Sequence, residues 1–169
     1  STLKPSALFR QARCATNMGK NELAIKKYNR IVHNGSKSSI APISEYNMAN
    51  LMYESNDKDA KAHFKKIIKK YPTSDYAIAS EYYLGMIEIA NPPKSPKRLA
   101  KSQDKALNHF KNYLEKAPDG RFALKSIEEI VKLNRPLSNY DNLLIAKGYY
   151  ANGEFEKSKT FLNKTTLSE

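Results

Sequence analysis

The sequence has few of the residues that hold a small fold together without a large core. Among its 169 residues there is one cysteine, Cys14, and no tryptophan. One cysteine cannot form a disulfide within the chain, so a disulfide-stabilised scaffold is excluded. A free cysteine on a helix usually packs as a small hydrophobic side chain, and we expect Cys14 to be buried.

Long apolar runs are also absent from the sequence. No stretch reaches the about 18 consecutive apolar residues of a membrane-spanning helix, so none is predicted. Acidic residues are scarce relative to basic ones, because 17 Asp and Glu stand against 29 Lys and Arg, a formal net charge of +12. Such an excess favours an acidic protein, an anionic envelope surface or a nucleic acid as partner.

Motifs for catalysis or cofactor binding are missing from the sequence. The three histidines, His33, His63 and His109, include no pair spaced by four residues, the helical spacing of many zinc sites. There is no G-x-S-x-G, no phosphate-binding loop and no G-x-G-x-x-G. We therefore predict a protein that is not an enzyme and that uses no metal, no cofactor and no small-molecule substrate.

What the sequence does contain is a repeated pair of helices, clearest in residues 57–85. Ala60, Phe64 and Ile67 recur at the spacing of one helical face, and lysines occupy the opposite face. Pro72 ends this helix because it offers no amide hydrogen and disfavours a helical residue before it. The pattern predicts an amphipathic helix that packs its apolar face against a neighbour.

Small residues in this unit predict how closely its helices pack. Thr73 or Ser74 is suited to cap the second helix of the pair. Ala60 and Gly85 allow two helix backbones to approach, and aromatic side chains such as Phe64 fill the space beside them. The unit is therefore predicted to be an antiparallel helix pair.

The unit recurs along the chain. Ala24 occupies the place of Ala60 at an interval of 60 − 24 = 36 residues, and Ala106 follows at 106 − 60 = 46. The longer interval implies an insertion, and the proline-rich residues 91–101 are predicted to be a non-helical segment, with the next helix capped by Ser102. In all, nine helical segments and no strand are predicted.

The order alanine, aromatic four residues later and proline after the helix resembles the tetratricopeptide repeat family, whose period is about 34 residues. Ala60, Phe64 and Pro72 carry that order, and residues 71–85 (YPTSDYAIASEYYLG) are similar to bacterial envelope members of the BamD-like and CpoB-like kinds. The resemblance implies an all-α fold, a right-handed superhelix of about four helix pairs. It implies one domain, residues 1–169, with repeat-like units near 5–35, 42–72, 75–118 and 139–165.

The resemblance also implies a function and a location. It indicates a non-enzymatic scaffold of a bacterial cell-envelope complex, a lipoprotein in the periplasm or at the periplasmic face of the outer membrane. Such repeats bind a partner protein or peptide in a concave groove lined by the first helix of each pair. By the family's pattern, the groove-lining residues are Phe9, Arg13, Asn17, Glu45, Ala49, Tyr53, Tyr82, Met86, Ile89, Tyr140, Lys147 and Tyr150.

Two other functions remain open from the sequence. The chain is also suited to the non-catalytic superhelical region of a lytic transglycosylase or another cell-wall enzyme. A third interpretation, which depends on charge alone, is a basic surface that binds nucleic acid or anionic lipid. That surface would be the lysine face of the helix in residues 57–72, with Lys61, Lys65, Lys66 and Lys69.

Overall fold

Helices account for all regular secondary structure in the part of the chain that the computed structural model describes, residues 4–35 and 37–165. Within those residues there is no strand. The all-α, tetratricopeptide-like fold class is therefore confirmed. The helices are α1 Pro5–Asn17, α2 Asn21–Asn34, α3 Ala41–Glu54, α4 Ala60–Lys70, α5 Asp75–Ala90, α6 Pro96–Lys116, α7 Ala123–Lys132, α8 Asn139–Ala151 and α9 Phe155–Leu162.

The chain folds as two compact units, residues 1–80 and residues 81–169, and α5 begins in the first and ends in the second. In the first unit, consecutive helices pack in order, α1 on α2, α2 on α3 and α3 on α4. In the second unit, α6 packs on α7 and α8, α7 packs on α8, and α8 packs on α9. A single domain over residues 1–169 stays a prediction.

Small residues on α1 and α2 let the first two helices approach closely. Ala12 and Ala24 are completely buried, and the larger side chains of Leu8, Tyr28 and Ile31 fill the space around them. The apolar stripe of each helix therefore faces its neighbour, which is the arrangement that the alanine–aromatic pattern predicts.

Gly85 and Phe110 form the equivalent close contact in the second unit. A Cβ placed on Gly85 would lie 2.5 Å from Cε1 of Phe110, so only glycine fits beneath that ring. Beside them the rings of Tyr82 and Phe122 stack with centroids 4.3 Å apart. The prediction that small and aromatic residues together set the helix packing is confirmed at this contact.

Two helix caps are present in the structure, and one of them, Ser74, is predicted from the sequence. The Ser74 hydroxyl accepts a hydrogen bond from the amide of Ala77 at 3.2 Å, before α5. Ser138 and Asp141 form a reciprocal capping box at the start of α8, in which each side chain accepts from the other residue's amide. These caps satisfy amide groups that have no partner within a helix.

The segment 91–101 differs from its prediction as a non-helical insertion. Helix α6 begins at Pro96, with this proline in its first turn, where the missing amide hydrogen has no helical partner to lose. Ser102 does not cap the helix, because it lies inside α6 and its hydroxyl donates to the carbonyl oxygen of Glu88. The extra residues of this repeat are thus partly used to lengthen α6.

Cys14 is also placed differently from its prediction, because its side chain is exposed. It lies two positions after the buried Ala12, which turns it by about 200° to the other side of α1. A helix cannot bury both residues against one neighbour.

Candidate functional site

A polar cleft lies between α1 and α3 in the first unit. It has a volume of about 250 Å³ and is open to solvent. We call it the α1–α3 cleft, and its lining residues are Arg13, Thr16, Asn17, Tyr28, Asn47, Asn50, Leu51 and Glu54. Both helices are the first of their pairs, so the cleft lies on the helices where the family's pattern places a partner.

The helix packing explains why these side chains face the cleft. Ala12 of α1 and Ala49 of α3 are completely buried between helices. The next residue on each helix, Arg13 and Asn50, is turned by about 100° away from that contact and toward the cleft. The buried small residue therefore fixes the direction of the polar residue that follows it.

The asparagines of the cleft differ in their hydrogen bonding. Nδ2 of Asn47 donates to the hydroxyl of Tyr28 at 3.3 Å, which ties α3 to α2. Oδ1 of Asn50 is inaccessible to water, and no described protein atom donates to it. Asn17 is exposed at the end of α1. The cleft thus holds one amide anchored by a buried tyrosine and one with an unsatisfied acceptor.

Glu45 does not line a groove as predicted, because its side chain has 0 % exposure. Its Oε1 accepts from Nδ1 of His63 at 3.2 Å and from Nζ of Lys66 at 2.7 Å. Burial alone would raise the pKa of Glu45, but the hydrogen bonds from His63 and Lys66 outweigh it and hold the pKa below its ordinary value. This carboxylate joins α3 to α4.

Glu45 and Ala49 were predicted one residue out of register with Tyr82 and Met86 of α5. Glu81 is also buried, and its Oε2 accepts from Nδ1 of His109 at 2.7 Å. Glu45 and Glu81 are therefore equivalent, at an interval of 81 − 45 = 36. At that interval the equivalent of Met86 is residue 86 − 36 = 50, which is Asn50. Asn50 should have been predicted in place of Ala49.

Tyr82 is another predicted groove residue that the structure buries. Its ring packs between Phe110 and Phe122, at centroid distances of 6.1 and 4.3 Å. Its equivalent at the 36-residue interval is Tyr46, which is buried against Phe64 and Tyr76. These tyrosines are core residues of their units, so neither offers its ring to a partner in this structure.

Two of the other predicted groove residues of the first unit lie in the α1–α3 cleft. Arg13 and Asn17 line it directly. Phe9 is half-buried and packs edge-on against Tyr28, with centroids 5.8 Å apart. Tyr53 is half-buried on α3, and burial raises the pKa of its hydroxyl.

In the second unit, the predicted residues of α8 share one exposed face. Tyr140 and Tyr150 are 52 % and 66 % exposed, and Lys147 lies between them on the same face. The Tyr140 hydroxyl donates to Glu115 at 2.8 Å, and this hydrogen bond raises the pKa of Tyr140. Met86 and Ile89 are half-buried on α5.

The four lysines of the predicted basic surface on α4 differ in exposure and in pairing. Lys65 and Lys69 are exposed, and Lys61 is half-buried. Lys66 is engaged with Glu45. Two of the four lysines are thus displayed on the side of α4 away from Phe64 and Ile67.

Among the described residues, no three His, Cys, Asp or Glu side chains come together in a way that could hold a metal ion. None of the described helices combines the length and the apolar character needed to cross a membrane.

Paired helices with small residues at their crossings and a polar cleft on the first helices define a helical-repeat protein of the tetratricopeptide type. Comparison with known families then matches residues 2–158 to the YfiO family, described as outer membrane lipoprotein. The chain belongs to this family. No curated protein matches the chain.

The family settles several of the predictions. The resemblance to BamD-like envelope proteins is confirmed, and so is a location at the periplasmic side of the outer membrane. The family is one of non-catalytic scaffolds whose role in outer-membrane assembly depends on protein interactions. Which surface of this chain meets a partner is a separate question.

Proposed function

We propose that this chain is a non-enzymatic scaffold of an outer-membrane complex that holds a segment of a partner protein in the α1–α3 cleft. The observation that carries the proposal is the cleft itself, a solvent-open space of about 250 Å³ between the first helices of two consecutive pairs. Its lining combines Arg13 and Glu54 with asparagines and offers many hydrogen-bonding groups.

Other surfaces fit a partner less well. The lysine face of α4 offers charge, which mainly accelerates encounter and sets salt dependence. Lys66 is already paired with the buried Glu45, so part of that charge is compensated within the fold. A cleft gives a partner more contact than a row of separate lysines.

Site-specific photo-crosslinking in cells tests the proposal. A photoreactive amino acid replaces Asn17 in the cleft, and a matched variant carries it at Lys65 on α4. Both positions are exposed on helices of the same unit. We expect the Asn17 position to give a discrete adduct with one envelope protein and the Lys65 position to give none. An adduct of equal yield at both positions, or none at Asn17, would contradict the proposal.

A further inference from the structure

We propose that one side of the α1–α2 helix pair binds the surface of a bilayer that contains anionic phospholipids, through basic and apolar side chains together. This inference goes beyond the proposed function, because that side of the pair is turned away from the α1–α3 cleft. We call it the α1–α2 outer face, and its residues are Gln11, Cys14, Met18, Lys20, Leu23, Lys27 and Arg30. Positive charge beside exposed apolar side chains is the composition of a surface that lies on a membrane.

One hydrogen bond shows that residues of the two helices share this side. Nζ of Lys27 on α2 donates to Oε1 of Gln11 on α1 at 2.7 Å. Residues three, four or seven positions from Lys27 lie on the same face of α2. These are Lys20, Leu23 and Arg30. The outer face therefore extends over about 15 Å of α2, from Lys20 to Arg30.

The same helical intervals define the α1 part of the outer face. They lead from Gln11 to Cys14 and Met18, which are both exposed. Arg13, which lines the α1–α3 cleft, is turned by about 200° from Gln11 on the same helix. The outer face and the cleft are thus on different sides of α1, so each can be occupied without the other.

Much of the positive charge of the protein lies on this helix pair. Residues 4–35 contain seven Lys and Arg and one acidic residue, Glu22, so they carry 7 − 1 = +6 of the +12 of the whole chain. Glu22 is turned by about 140° from Lys27 and lies outside the face. Within the described part of the chain, Lys20, Lys27 and Arg30 form no ion pair. Their charge is therefore uncompensated and attracts anionic headgroups within about 8–10 Å.

Two apolar side chains project from this face where α1 turns into α2. Met18 is 65 % exposed and Leu23 is 44 % exposed. Gly19, whose φ is +68°, and Lys20 lie between them along the chain. Apolar side chains in such a place enter the boundary between headgroups and acyl chains, while a neighbouring lysine extends its charge to the headgroups. Helix α4 also carries exposed lysines but has no exposed large apolar side chain.

A membrane surface suits this face better than an acidic protein does. The family places the chain at the periplasmic side of the outer membrane, so a phospholipid surface is within reach. A lipid surface requires uncompensated charge and a few apolar side chains, and it requires no fixed geometry of hydrogen-bonding partners. The outer face offers those two features.

Vesicle binding by the whole 169-residue chain tests the inference. Anionic vesicles contain phosphatidylglycerol in phosphatidylethanolamine, neutral vesicles contain phosphatidylcholine alone, and binding is measured by co-flotation at about 100 mM salt. We expect binding to the anionic vesicles that weakens as salt is raised, and at least about tenfold weaker binding to the neutral ones. No binding to the anionic vesicles, or equal binding to both kinds, would overturn the inference.

Two double variants of equal net charge separate the outer face from the overall charge of the protein. Lys20→Glu with Arg30→Glu reverses two charges on the face, and Lys65→Glu with Lys69→Glu reverses two exposed charges on α4. The first should weaken binding to anionic vesicles at least about tenfold, because each basic residue near the surface contributes about fivefold. The second should weaken it no more than about threefold. Equal losses would overturn the inference.

The apolar contribution is tested separately from charge. Met18→Ser with Leu23→Ser should weaken binding to anionic vesicles at least about threefold and leave its salt dependence unchanged. The matched control is Val131→Ser, since Val131 is an exposed apolar residue of α7, and it should bind like wild type. Unchanged binding by the Met18 and Leu23 double variant would leave charge as the whole effect and would overturn the inference.

Cys14 allows a measurement on wild type that does not depend on the folding of a variant. It is the single cysteine of the chain and is exposed on the outer face. A spin label on Cys14 should be shielded from a water-soluble relaxation agent when anionic vesicles are added. A label on Lys65→Cys in a Cys14→Ser background should stay accessible, and the reverse pattern would overturn the inference.

Photo-crosslinking in cells identifies what covers the outer face. A photoreactive amino acid in place of Cys14 should give a phospholipid adduct. A protein adduct there would show that a partner protein covers the face and would overturn the inference. The Asn17 crosslink reports on the cleft alone, so the proposed function stands or falls independently of this result.

Discussion

Nδ1 of His109 lies 2.7 Å from Oε2 of Glu81, and His63 meets Glu45 in the same way one repeat earlier. In both pairs the carboxylate is buried on the first helix and the imidazole precedes the repeat's aromatic residue on the second. The two histidines, His63 and His109, occupy equivalent places in their repeats. What the sequence did not show is that each has a buried carboxylate as its partner.

Removal of both donors to Glu45 should destabilise the protein strongly. The double variant His63→Ala with Lys66→Ala leaves a carboxylate of 0 % exposure without its partners. Breaking a buried ion pair in this way costs about 3–5 kcal/mol, and we expect that loss in the free energy of unfolding measured with urea. The exposed Lys65→Ala is the control and should change the value by about 0.5 kcal/mol or less. Adding Glu45→Gln to the double variant should restore part of the loss, because it removes the stranded charge.

Stability should fall on acidification. The pKa of Glu45 lies below its ordinary value of 4.5 in the folded state. Between those two values the unfolded chain binds more protons than the folded chain, so the contribution of Glu45 is present above pH 4.5 and is lost as the pH falls through the folded pKa. The pKa of Asp141 is also lowered, because hydrogen bonds with Lys111 and Ser138 outweigh the effect of its burial. Its contribution to stability is likewise present above its ordinary pKa of 3.8 and is lost as the pH falls through the folded pKa.

The measurement for this prediction is the urea midpoint of wild type and Glu45→Gln between pH 7 and pH 3. Wild type should lose stability more steeply than the variant below pH 4.5, since only wild type carries the titrating group. Parallel curves would show that Glu45 does not titrate differently in the two states.

Gly85→Ala should destabilise the second unit, although the same change in most helices stabilises by about 1 kcal/mol. The added Cβ would lie 2.5 Å from the ring of the completely buried Phe110. Overpacking of this kind costs about 1–3 kcal/mol, which a thermal or urea melt would detect. Phe110→Leu placed in the Gly85→Ala background should cost less than it does alone, because the two positions are coupled. A stabilised Gly85→Ala protein would contradict the packing described here.

Much of the fold could be predicted because it depends on local patterns. Ala60 with Phe64, and Gly85 as a small residue at a helix crossing, follow from helical spacing and size. The caps Ser74 and Ser138 follow from short-range hydrogen bonding. Predicting these features requires no knowledge of which helices pack against each other.

The rest depends on contacts between distant residues. Glu45 was expected to line the groove from the family's pattern, and its actual partner His63 lies 18 residues away along the chain. Pro96 was taken as a helix breaker, since the sequence does not show that it begins a helix rather than interrupts one. Asn47 and Asn50 were missed for a different reason. The repeat register was read one residue out on α3, although the 36-residue interval between equivalent residues would have located Asn50.

The recurrence of the buried glutamate–histidine pair has a consequence for how the chain folds. Glu45 would be as well matched by His109 as by His63, so this contact alone cannot tell the two helix pairs apart. Repeats that share contacts are prone to exchange partners during refolding. Lys66 breaks the ambiguity, because the corresponding place in the next repeat, 66 + 46 = 112, holds Asn112 and offers no positive charge. Lys66 thus distinguishes α4, the partner of α3, from the equivalent helix of the next repeat.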